Sequence, residues 1–293
     1  MIRVTYNCNK KCFYCFNNVF DEGLHVKEES LDIDVINDFI TENNVNNVYI
    51  SGGEPTISSR FSDLMKGLTS NVKKIVFTNG LLLKCYSATQ INEFGISVID
   101  VSFYDEDIID ENESFVDMIE LIKNLKEVSK NIVVNSEIMI DSNYFKIIDS
   151  KGFKLLNSII DNIIWQPLAL PPTHPLFSTT LEGMEIEKRN EILDHLNNEF
   201  NKPRIVDSII EFLSKNHKCV KCKMGINYIV INPDMTLSIC PHLNTITTLD
   251  DYNYKDIESN KKCLSMRCLC LYDYLNKKLD KSDNIEYYQS IRI

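Results

Sequence analysis

The chain has 293 residues, 44% of them apolar and 25% charged, the balance of a soluble globular protein rather than a disordered or fibrous one. A net charge of −11 argues against a general binder of nucleic-acid backbone, and no stretch approaches the ~20 apolar residues of a membrane span. The opening MIRVTYNCNKKC lacks the apolar core of a signal peptide, so the expectation is a cytoplasmic protein with no nucleic-acid or membrane partner.

Short β-branched runs alternate with amphipathic ones from Met1 to Trp165, the pattern of repeated βα units on a parallel sheet. Strands are expected at Ile2–Tyr6, Asn47–Ser51, Lys74–Thr78, Ser97–Phe103, Asn131–Ile140 and Asn162–Gln166. Helices are expected at Leu31–Glu42, N-capped by Ser30, and at Phe61–Leu68, Ser87–Phe94, Phe115–Val128 and Tyr144–Ile160. The Pro-rich Gln166–Phe177 segment predicts a loop leaving the sheet, with helical runs at Leu181–Phe200 and Pro203–Lys215 behind it. Around Asn-Pro-Asp-Met, Tyr228–Asn232 and Thr236–Cys240 predict a hairpin, so a second small domain is placed at 216–293 after a first at 1–215.

Ten cysteines without a secretory signal point to metal or catalytic chemistry rather than a disulfide scaffold. Cys8, Cys12 and Cys15 form a CxxxCxxC on the loop after the first strand, the end of an α/β sheet where chemistry is built. Three thiolates on one loop can hold three irons of a cuboidal cluster and leave the fourth open. Two plainer readings remain at this point: an apolar helical stripe with Val19, or a zinc site completed by a distant residue. After the second strand comes Ser51-Gly52-Gly53-Glu54-Pro55-Thr56, where two glycines permit close backbone approach and Glu54 offers an acceptor for an ammonium group. Taken alone it is equally a tight turn with a solvated Glu.

The CxxxCxxC after strand one, the GGEP after strand two and the aromatic Tyr14 before the last Cys together resemble the radical S-adenosylmethionine (SAM) superfamily. The resemblance implies an α/β fold, a partial (β/α)6 TIM-like barrel, followed by a small C-terminal cysteine-rich α+β domain. It implies a [4Fe–4S] cluster on Cys8, Cys12 and Cys15, with SAM on the open iron, Gly52, Gly53 and Glu54 around its ammonium, and Tyr14 near its adenine. Thr78-Asn79-Gly80 matches a weaker family segment and adds Asn79 to the cofactor residues, while Ser102-Phe103-Tyr104-Asp105 fits the family's S-x-D imperfectly. Asp105 is as well read as an exposed loop carboxylate. On the fifth strand Asn135, Ser136 and Glu137 alternate in direction, so some can face SAM, which adds Asn135 and Ser136 as candidates.

Cys222, Cys240, Cys263, Cys268 and Cys270 resemble the twitch or SPASM extension of relatives, and Met235 stands where those usually carry Gly, implying a different turn at Asn232–Met235. One auxiliary [4Fe–4S] is expected on Cys222, Cys240 and two of the last three; Cys219 with Cys222 is the alternative of a structural zinc knot. The resemblance implies an enzyme that cleaves SAM reductively to a 5′-deoxyadenosyl radical, fed by an external one-electron reductant such as flavodoxin or ferredoxin. A ribosomally made peptide, to be epimerised, crosslinked or oxidised, is the favoured substrate. A small molecule to be dehydrogenated is the alternative, and a non-catalytic iron–sulfur carrier or sensor is the alternative of another class. A first strand starting at Ile2 leaves no room for an N-terminal peptide-recognition domain, which speaks against the peptide.

Overall fold

A computed structural model describes residues 1–15, 30–129, 131–168, 170, 172–200, 210, 229–238 and 247–249. Six parallel strands, β1 (Ile2–Arg3), β2 (Asn47–Ser51), β3 (Lys73–Thr78), β4 (Ile96–Ser102), β5 (Val133–Ile140) and β6 (Asn162–Pro167), lie side by side in chain order. Each new strand is laid beside the last, so the sheet is singly wound like part of a barrel, without the reversal of order that a doubly wound nucleotide fold requires.

Between the strands run α1 (Ile33–Glu42), α2 (Phe61–Gly67), α3 (Ala88–Glu93), α4 (Asp105–Asp110), α5 (Glu113–Val128), α6 (Tyr144–Asp149) and α7 (Lys151–Ile159), with α8 (Ile186–Asn198) after β6. One strand face packs on these helices: Ile50, Val76, Ile99, Val101, Val134, Ile138, Ile140, Ile163 and Trp165 join one continuous apolar core with helix residues such as Leu64, Ile91, Ile122 and Leu156. Because side chains alternate along a strand, Tyr49, Phe77, Asp100, Ser102, Asn135, Glu137 and Asn162 face the other way, onto the concave side. Tyr49 and Phe77 stack there with ring centroids 6.0 Å apart.

Three local expectations change. Asp32, not Ser30, caps α1, accepting from the Asp34 and Val35 amides, while the Ser30 amide donates to Pro233 O at 2.8 Å. Leu31 is buried between them, so the chain enters the helix one turn position later than the Ser suggests. The stretch Tyr144–Ile160 is two helices, because Ser150 takes an extended backbone and caps α7 by accepting from Phe153 N. There Gly152 presses on α4, where a Cβ would stand 2.0 Å from Ile108 O.

The hairpin is present as β7 (Val230–Ile231) and β8 (Thr236–Ser238), antiparallel, with β9 (Thr247–Thr248) beyond. Its first strand pairs parallel with β1, Ile2 opposite Ile231, and extends the sheet to nine strands. The tip departs from expectation: Met235 itself takes φ 65°, the left-handed conformation a Gly would prefer, closing a turn in which Met235 N donates to Asn232 O. A non-Gly residue there costs about 1–2 kcal/mol.

Candidate functional site at the strand C-termini

All motif loops leave the same end of the sheet. Beyond β1 and β2 the two chains stay paired: Val4 N donates to Ser51 O, Gly53 N to Thr5 O at 2.7 Å, and Glu54 N to Asn7 O at 2.8 Å. This approach is what the glycines allow, since a Cβ on Gly52 would lie 2.3 Å from Thr5 O and one on Gly53 2.2 Å from Asn7 O. The GGE turn is thereby stitched to the backbone that leads directly into Cys8.

Glu54 is 1% exposed, which removes the solvated-Glu reading of the turn. Its Oε1 accepts from Thr56 N, Thr56 Oγ1 and Thr78 Oγ1, and its Oε2 from Asn79 N at 2.7 Å. A buried carboxylate with four donors is fully compensated for its lost water. Asn79 carries the link onward, its Nδ2 donating to Asn9 Oδ1 at 2.8 Å and lying 3.8 Å from Cys8 Sγ. Glu54, Asn79 and the cysteine loop are one hydrogen-bonded unit.

Residues 8–15 are a loop with a turn at Cys12–Cys15, so the helical-stripe reading fails over them; Val19 lies outside the described residues. Each of two thiols meets donors: Lys10 N points at Cys8 Sγ at 3.4 Å, and the Tyr104 hydroxyl is hydrogen-bonded to Cys12 Sγ. Burial pushes the Cys8 and Cys12 thiols up, and burial likewise raises Tyr104, followed by its bond to Cys12, so the phenol stays protonated. Among the described residues no three His, Cys, Asp or Glu side chains close on a common point as a single ion needs. A cuboidal cluster takes each thiolate on a separate iron, and N–H or O–H donors aimed at the sulfurs are the surroundings such a cluster uses. The donor set therefore fits a three-cysteine cluster.

Tyr14 is half-buried, edge-on to Phe13 at 4.9 Å and 6.1 Å from the Tyr104 ring. Lys10 Nζ sits 3.5 Å over the Tyr104 ring and 2.9 Å from Asp107 Oδ2. Neither Tyr104 nor Lys10 is marked by any motif; the only sequence signal is the aromatic beside Asp105 in the imperfect S-x-D.

On the β4–β6 side the candidates fare differently. Asn135 is fully buried in a ladder, donating to Asp100 Oδ1 at 2.6 Å and accepting from Asn162 Nδ2 at 2.8 Å. Ser136 is fully buried on the helix-packed face with Val134 and Ile138, its Oγ without a hydrogen-bond partner among the described residues. The structure brings neither to the cysteine loop. Glu137 remains on the concave face, accepting from Ser102 Oγ at 3.2 Å. Asp105 is not a loop residue but opens α4, half-buried near Asp141, and burial first and the Asp141 charge second raise its carboxyl to about 7. His174 keeps the loop position expected of it, its Nδ1 accepting from Leu176 N and its ring 6.1 Å from Phe13. Cys219, Cys222, Cys240, Cys263, Cys268 and Cys270 lie outside the described residues.

Comparison with known proteins agrees with this geometry. The family model described as the Radical SAM superfamily matches residues 2–144. A segment is 32% identical over 102 residues to a probable GTP 3′,8-cyclase of Archaeoglobus fulgidus, 34% of this chain and 33% of that protein. A segment is likewise 33% identical over 108 residues to a putative glycyl-radical enzyme activating enzyme of Methanocaldococcus jannaschii, 35% of this chain and 39% of that one. The chain thus spans about a third of the length of the curated relatives it matches. Among solved structures, SuiB of Streptococcus suis bound to its precursor peptide SuiA superposes with a TM-score of 0.58 at 20% identity, over 94% of this chain and 72% of that one, a likeness of fold. Residues 2–144, from β1 to the start of α6, are a Radical SAM superfamily domain.

Proposed function

We propose that this chain is a radical SAM enzyme, with a [4Fe–4S] cluster on Cys8, Cys12 and Cys15 and SAM bound beside it. The observation that carries the reading is the Glu54–Asn79 link, which joins the three-cysteine loop and the GGE turn into one hydrogen-bonded unit. The bound pair would supply a 5′-deoxyadenosyl radical after one-electron reduction by an external flavodoxin or ferredoxin. The chain's own part is to bind and orient. Gly52 and Gly53 bring backbone close to the SAM ammonium, with Glu54 holding that turn from behind, and Asn79 fixes the Cys8 side. Tyr14 offers a ring face for the adenine, and the concave face with Ser102 and Glu137 shields the substrate from water.

The substrate we favour is a ribosomally made peptide, with a small molecule as the second reading. A fold shared over most of its length with SuiB, a protein seen with its precursor peptide, supports the first. The segment similar to GTP 3′,8-cyclases supports the second. We further assign residues 216–293 to an auxiliary-cluster domain, its [4Fe–4S] on Cys222, Cys240 and two of Cys263, Cys268 and Cys270, in a cytoplasmic protein. No described helix is long and apolar enough to cross a membrane.

The test is formation of 5′-deoxyadenosine by anaerobically reconstituted protein given SAM and dithionite. A C8A/C12A/C15A variant is expected to make none while keeping whatever iron the C-terminal cysteines hold. Absence of product from a parent with an intact N-terminal cluster, with peptide and small-molecule substrates both supplied, would count against the enzyme and for an electron carrier.

A further inference from the structure

Tyr104 stands two residues after Ser102, at the end of β4, and reaches across to the cysteine loop that follows β1. Its hydroxyl meets Cys12 Sγ, while Lys10, from the same loop, covers its ring at 3.5 Å and is held by Asp107 of α4 at 2.9 Å. The loop and the α4 end are thus joined twice, through sulfur and through the Lys10–Asp107 pair. Asp107 is anchored in turn by Asn112 Nδ2 at 2.6 Å, which fixes the whole assembly to the α4–α5 corner.

A thiolate bound to iron has no proton, so in the loaded protein the Cys12 sulfur can only accept and the Tyr104 hydroxyl must donate. Such a bond, like a nearby ammonium, favours the more negative, reduced cluster. A cation over the ring also withdraws charge from the phenol and strengthens its donation.

Resting on the radical SAM reading above, we propose that Lys10 and Tyr104 form a positioning pair that sets the reduction potential of the N-terminal cluster through Cys12. The pair gives the cluster a route to easier reduction that no motif of the cysteine loop carries, because one member comes from a strand end about ninety residues away.

The test is an EPR-monitored redox titration of the reconstituted protein, following the signal that changes when SAM is added and so belongs to the N-terminal cluster. Y104F keeps the ring beneath Lys10 and removes only the donor; it is expected to lower the reduction equilibrium constant at least threefold at unchanged iron content, tenfold being 59 mV for one electron. K10Q removes the charge from a partly exposed side chain and is expected to shift it the same way by less. A parent potential in Y104F would overturn the proposal. If Y104F loses its iron, the potential of K10Q decides instead, and a parent value there overturns it as well. A parent protein that takes up no reducible cluster would overturn the underlying reading instead, and this inference with it.

Discussion

Two buried carboxylate sites, one on each half of the sheet, solve the same electrostatic problem in opposite ways. At the β2–β3 end Glu54 gives up water for four donors. At the β4–β5 end Asp105 and Asp141 share one small space, with Asn143 reaching both: its amide donates to Asp141 Oδ1 at 2.6 Å and its Nδ2 lies 3.4 Å from Asp105 Oδ2. The first arrangement is rigid and finished, as a cofactor seat must be if the cluster and SAM are to meet in one geometry. The second is strained first by burial and then by like charge, and is relieved in part by Asn143, by the hydrogen bond between the two carboxyls and by Lys188 and Lys146 nearby. The β2–β3 half is settled, and the β4–β5 half is not.

The sharpest way to break this contrast is at Glu54. Glu54→Ala would leave the Thr78 hydroxyl and the Thr56 and Asn79 amides buried without their acceptor, and the expected loss in urea denaturation is on the order of 4 kcal/mol. Glu54→Gln keeps one carbonyl oxygen and should lose about half as much, with iron uptake falling alongside because Asn79 is no longer fixed against the cysteine loop.

At the other site the sign reverses. A carboxyl raised from 3.8 to about 7 holds its proton longer in the folded than in the unfolded chain, so its contribution is intact below about pH 4 and is lost as pH rises through 7. Asp105→Asn removes that loss. The variant should melt higher than the parent at pH 8, with the gain shrinking steadily toward pH 4; a gain independent of pH would mean that the Asp105 carboxyl is not raised by burial and Asp141.

The smallest test concerns the start of α1, well away from both carboxylates. Asp32→Ala is expected to cost about 1 kcal/mol and Ser30→Ala less than about 0.5, since the serine amide rather than its side chain makes the strong contact with Pro233. Equal losses would restore the serine as a cap.

Much of this is legible in the sequence where period and spacing speak. The β2 bounds agree to the residue, the other five barrel strands lie where alternation puts them, and the two motifs prove to be one connected unit. What escapes has physical reasons. Asp105 reads as an exposed loop carboxylate, yet it opens a helix, because Ile108 inserts into the core and the chain turns at the αL residue Glu111. Asn135 and Ser136 are candidates by alternation alone; which parity faces the helices depends on the neighbouring strands, and so does the capture of Asn135 by Asp100 and Asn162. Tyr104 meeting Cys12 is a contact between separate βα units, and no local pattern encodes it.

The pairing of β7 with β1 also bears on how the protein is made. Arg3 and Asn232 are 229 positions apart, and the Arg3 guanidinium reaches the Asn232 side chain. At roughly 5–20 residues per second, a ribosome needs on the order of 10–50 s after releasing the first strand to deliver its outer neighbour. Throughout that interval the nascent barrel shows an unpaired parallel edge on the strand that leads into the cysteine loop. A nascent chain stalled before residue 230 should therefore be the species most prone to edge-to-edge association.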